Sequence, residues 1–142
     1  MYKNVYLKKG KEESLKRFHP WIFSGAVANI DDGVEEGEIV RVLTSSGDFI
    51  AVGMYQIGSI AVRVLSFRDV QIDADFWVAR LQSAWDMRTA IGLIGRQDNN
   101  MFRLVHGEGD NLPGLIIDCY GDTAVMQAHS VGMHLVKNDI CK

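Results

Sequence analysis

Four side chains with chemistry to offer stand within six positions: Lys16, Arg17, His19 and Trp21. Lysine and arginine neutralise phosphates, and an aromatic ring left partly in water stacks on an unpaired base for about 1–3 kcal/mol. The set could therefore hold RNA. Trp21 is followed by Ile22 and Phe23, both expected in the core. A second candidate, Gly107-Glu-Gly-Asp-Asn-Leu-Pro-Gly114, carries a G-x-G after a strand-like run. A dinucleotide loop must open a helix whose N-terminus faces the phosphates, whereas Pro113-Gly114 leads into the β-branched run Leu115-Ile-Ile117, so this segment reads as a turn between strands. Histidines 19, 106, 129 and 134 include one pair five apart, which fits neither a helical zinc pair nor a finger, and no metal site is expected. Cys119 invites a role as a nucleophile, since a thiolate can attack cytosine, but it lies mid-strand between Asp118 and Tyr120 and reads as a small buried hydrophobe. Carboxylates Glu108, Asp110, Asp118 and Asp122 cluster in sequence as turn residues commonly do.

The elements that must position these groups come from a chain of 142 residues, 47% hydrophobic and 23% charged, enough for one compact domain or two small ones without disulfide or metal staples. Two cysteines without zinc-like neighbours, and a start at Met1-Tyr-Lys-Asn4 without an apolar targeting core, fit a reducing cytoplasm. No apolar run approaches the roughly 20 residues that cross a bilayer, so no membrane partner is expected. The net charge of -3 disfavours a polyanion partner, yet its distribution does not. Residues 1–20 hold six lysines and arginines against Glu12 and Glu13, a balance of +4, which leaves -7 for the remainder. A local basic patch attracts phosphates within about 8–10 Å whatever the total.

Three short β-branched runs, Ile39–Leu43, Phe49–Tyr55 and Ile60–Leu65, separated by turn residues, predict a β-meander curled over one core. Upstream, His19–Val27 is apolar, with Pro20 suited to the first turn of a short helix and Gly25 to its end. After a break at 68–73 the hydrophobic period changes from two to 3.6. Asp73 or Asp75 can cap a helix to about Gly92 with Trp77, Leu81, Ala84, Trp85 and Ile91 on a core face. Strands are expected at Met101–His106, Leu115–Tyr120 and Thr123–Ala128, with a tight turn at Gly121-Asp122. Ser130 can cap a last helix still running at Lys142, so the chain reads as cut.

Three motifs together carry a likeness: Arg17-Phe-His-Pro-Trp-Ile-Phe-Ser-Gly-Ala26, the strand pair Gly47–Tyr55 and Ile60–Leu65, and Gly107–Leu115 with Asp118 and Tyr120. In these the chain resembles the N-terminal part of the bacterial 23S ribosomal-RNA large-subunit 5-methylcytosine methyltransferases. The resemblance implies an α+β fold: a PUA-like pseudo-β-barrel over residues 1–70 that binds RNA, then a small strand-strand-helix-strand-strand type domain over 71–142, truncated. It implies S-adenosylmethionine as cofactor of the parent protein, bound by a class I domain beyond Lys142, so that this piece is expected to be inactive, to bind no cofactor and to contain no catalytic residue. Lys16, Arg17, His19, Trp21 and Gly25 become candidates for RNA contact, and Glu108, Asp110, Asp118 and Tyr120 for interdomain packing. Ribosomal RNA is the expected partner, and a homodimer is compatible with this reading. The rival is a free-standing RNA-binding or assembly module without catalysis, and a third reading gives the surface to a protein partner.

Overall fold

A computed structural model describes residues 1–142, which divide into two compact units, 1–71 and 72–142. In the first, β1 (Lys3–Leu7), β2 (Trp21–Phe23), β3 (Val27–Ile30), β4 (Ile39–Leu43), β5 (Phe49–Tyr55) and β6 (Ile60–Ser66) form one curled sheet in the order β2-β6-β5-β4-β1-β3. Strands β4, β5 and β6 are the antiparallel meander that alternation predicts. β1 joins it in parallel to β4 and antiparallel to β3. The basic first segment therefore begins as an inner strand whose Val5 and Leu7 are wholly buried. With Leu15, Ile22, Val40, Val42, Ala51, Val62 and Val64 they make the core of this unit.

The sheet demands one glycine for space. At Gly53, where the β5–β6 register shifts, an added Cβ would lie 2.4 Å from the Arg63 carbonyl oxygen and 2.7 Å from Val62. The segment expected to form a helix from Pro20 is instead β2 followed by a 3-10 turn at Ser24–Ala26. The Pro20 carbonyl accepts from the Val64 N–H at 2.8 Å, which starts pairing with β6 rather than a helical turn. The helix in this region lies earlier, as the single turn α1 (Glu13–Lys16).

The second unit runs α2 (Ala74–Ala90), β7 (Met101–His106), β8 (Leu115–Tyr120), β9 (Thr123–Ala128) and α3 (Val131–Ile140), with the strands antiparallel in the order β7-β8-β9. This helix-strand-strand-strand-helix order is the one the periodicity gives. It differs from the strand-strand-helix-strand-strand order that the resemblance implies for the region. Asp73 caps α2, its carboxylate accepting from the Phe76 N–H at 3.0 Å, and Ser130 caps α3 at the Met133 N–H. The last helix closes at Ile140 rather than running on to Lys142.

The buried face of α2 is Trp77, Ala84 and Arg88, with Leu81 half-buried, not the apolar set expected. Trp85 is 42% and Ile91 63% exposed. Arg88 takes the core position because Asp110 meets it there. The two form a bidentate pair with side chains only 10% and 2% exposed, Arg88 Nη2 donating to Asp110 Oδ2 at 2.8 Å. Arg88 Nε donates to the Arg103 carbonyl at 3.0 Å, and Asp110 Oδ2 accepts from the His106 N–H at 2.7 Å. A helix, a strand and the 3-10 turn Gly107–Asp110 are thus tied at one buried point.

Candidate nucleic-acid interface

β2 is an edge strand, paired to β6 on one side only, with Trp21 opposite Arg63 and Ile22 opposite Val62. Strand side chains alternate between faces, so when Ile22 enters the core at 2% exposure its two neighbours must turn the other way. Phe23, expected in the core, is therefore 50% exposed, and Trp21 is half-buried. His19 lies just before the strand with Nδ1 at 3.2 Å from both the Trp21 N–H nitrogen and its carbonyl oxygen, which pins the imidazole against the backbone. The three rings form a triangle with centroids 6.1–6.4 Å apart, the Trp21 and Phe23 planes at 90°. Edge-to-face pairs at such spacing are mutually attractive, so the platform is preorganised while part of it stays in water.

Two cations precede it in the chain. Lys16 ends α1 and Arg17 follows it, both exposed. Lys16 Nζ lies 3.1 Å from Glu13 Oε1, a solvent-exposed i,i+3 pair worth a fraction of a kcal/mol, which a phosphate can displace. Phe18 then reverses the chain with φ of 62°, a left-handed conformation uncommon outside glycine. Its N–H and that of His19 close the end of α1 on the Leu15 and Ser14 carbonyls. That reversal delivers His19 to β2.

Gly25 sits in the 3-10 turn, which the Ser24 N–H anchors to the Ser59 carbonyl at 2.8 Å. A Cβ at Gly25 would meet nothing within 4 Å, and its φ needs no glycine. Nothing inside the chain requires a glycine there. Across from Trp21, Arg63 donates through Nη1 to Gln56 Oε1 and borders a groove of about 160 Å³ lined by Gln56 to Ile60. Sequence reading missed Arg63 and Phe23. The one signal for Arg63 was a lone cation in the otherwise apolar run of β6.

The second unit brings together only part of its candidate set. Asp118 and Tyr120 share one face of β8, opposite to the buried Leu115 and Ile117. Arg103 grips Asp118 through two bonds of 2.7 and 3.0 Å and holds its carboxyl below the usual carboxylate range, its own pKa raised in return. Tyr120 is 49% exposed and Glu108 half-buried, whereas Asp110 is spent on Arg88 inside the unit. Burial, then the Asp118 charge, raises the Cys119 pKa, so the thiol is not activated. The Gly107–Gly114 turn does not fit a nucleotide. Leu112 and Pro113 are buried, and the Gly114 carbonyl is taken by the His129 N–H at 2.7 Å. No helix of the chain is long and apolar enough to cross a membrane.

Residues 5–67 match the model of a PUA-like domain. The chain is 42% identical over 130 residues to a protein of Erwinia tasmaniensis named ribosomal RNA large subunit methyltransferase I, covering 90% of this chain and 32% of that one. It is 41% identical over 142 residues to the protein of that name from Tolumonas auensis, covering 99% of this chain and 35% of that one. It thus spans about a third of the length of the curated relatives it matches. Among solved structures, a candidate SAM-dependent methyltransferase from Streptococcus mutans shares the fold with a TM-score of 0.82 at 18% identity, over 97% of this chain and 36% of that one. A second such neighbour was solved in complex with SAH. The first unit thus carries a PUA-like domain, and the chain that contains it is similar along nearly all of its length to proteins named ribosomal RNA large subunit methyltransferase I.

Proposed function

We propose that this chain is the RNA-binding N-terminal region of an S-adenosylmethionine-dependent ribosomal-RNA methyltransferase acting on cytosine C5 in the cytoplasm. The observation that carries the reading is the ring triangle His19, Trp21 and Phe23 at an edge strand of a PUA-like domain, preceded in the chain by the exposed Lys16 and Arg17. Lys16 and Arg17 neutralise backbone phosphates, the rings meet bases, and Gly25 leaves room for a strand to pass close to the 3-10 turn. The relatives' name supplies the large-subunit RNA as target. The neighbours' description supplies the methyl donor. In this reading methyl transfer falls to the part of such proteins that the chain does not span.

The reading is tested by titrating the 142-residue chain with unmodified large-subunit RNA fragments at rising salt. Association that weakens steeply with ionic strength supports it, and its absence at low salt contradicts it. Incubation with labelled S-adenosylmethionine is expected to leave the RNA unlabelled, and incorporation by this chain alone would overturn the division of labour.

A further inference from the structure

The Gln56–Arg63 pair belongs to none of the candidate contacts above, yet it shares the margin of β2 and β6 with Phe23 and the rest of the ring triangle. Arg63 stands opposite Trp21 and Ile60 opposite Phe23, and the Ser24 anchor to Ser59 holds the β5–β6 turn beside them. Phe23 is half in water because the alternation set by the buried Ile22 forbids it an inward turn. Ile57, at the tip of the turn, is 68% exposed. An exposed apolar surface rimmed by polar groups marks a contact site. The groove beside it, about 160 Å³, is far below the roughly 300–1,000 Å³ of a cofactor site, and suits one planar ring.

We infer that Phe23 with the Gln56–Arg63 groove is a site for a single unpaired nucleotide of the RNA, the base stacked on Phe23 and its acceptor edge or phosphate held by Arg63. This rests on the RNA-binding reading and adds a requirement, that the bound segment be unpaired. A guanidinium has five N–H donors and no acceptor, and one donor of Arg63 goes to Gln56 Oε1. The remaining guanidinium donors match a base carbonyl or a phosphate oxygen and do not suit a cationic peptide. A paired base cannot take the position, because both its faces are already stacked and its edge is used.

The probe is a single-stranded RNA of about 10 nucleotides carrying one 2-aminopurine, compared with the same strand annealed to its complement. Binding to the native chain is expected to quench the 2-aminopurine emission of the single strand. Phe23→Leu, which keeps an apolar side chain without a ring, should weaken single-strand binding about 5- to 150-fold and leave duplex binding unchanged. Phe23→Tyr should restore it, and the thermal midpoint of all three should agree because Phe23 is half exposed. Arg63→Gln should weaken the single strand alone. Salt-dependent binding that is indifferent to Phe23→Leu, or an equal loss for duplex, overturns this inference and leaves the RNA-binding reading standing. Failure to bind either RNA overturns both.

Discussion

At the scale of single residues, the structure separates side chains that hold the fold from those free to meet a partner. Lys3 and Glu38 belong to the first kind. Lys3 Nζ donates to the Gly33 carbonyl and to Glu38 Oε2, while Glu38 accepts from the Glu35 N–H at 2.9 Å. That backbone bond first, and Lys3 after it, hold the Glu38 carboxyl below its usual range. A depressed folded pKa means that the contribution is full above the unfolded value and fades as pH falls through the folded one. Glu38→Gln should therefore cost about 1 kcal/mol at pH 7 and nothing well below pH 4, as denaturant midpoints across pH will show. Gly25 is of the second kind. Gly25→Val should leave the thermal midpoint within a degree or two, since open space surrounds it, yet cut RNA affinity at least several-fold. Lys16, Arg17, His19 and Trp21 could be nominated as candidates from residue type alone. Phe23 could not, because an apolar triplet does not declare which of its members faces water until a partner strand fixes the phase, and β6 puts Ile22 inside.

At the scale of elements, two close fits decide stability. Gly53→Ala pushes a methyl into the β6 backbone at 2.4 Å and should destabilise the first unit by about 1–3 kcal/mol or more, seen as a lowered thermal midpoint. Asp110→Ala strands the Arg88 charge in the second unit and should cost about 3–5 kcal/mol, read in the fluorescence of Trp77 and Trp85 during urea unfolding. The meander β4–β6, the hairpin β8–β9 and both long helices were legible because each has a turn or cap at its ends. β1 was not, since its alternating Lys3-Asn-Val-Tyr-Leu7 is masked by the charges that follow and its neighbours in the sheet lie far along the chain. Trp85 was misassigned to the core because an apolar count cannot foresee that a salt bridge will carry an arginine inside; it rests instead edge-on to Phe102, 6.3 Å away.

At the scale of the whole molecule, a chain of net charge -3 that binds RNA must do so through a local field, and the positive excess lies in residues 1–20. Composition revealed that asymmetry, and the fold leaves Lys16 and Arg17 exposed while it commits Lys3 to Glu38. The claim that Lys16 and Arg17 grip RNA phosphates is tested most directly by the slope of log affinity against log salt for single-stranded large-subunit RNA, in the native chain and in the double variant Lys16→Ala, Arg17→Ala. Two lost phosphate contacts should flatten the slope by about 1.4 and lower affinity at low salt. A variant with the native slope would contradict the account.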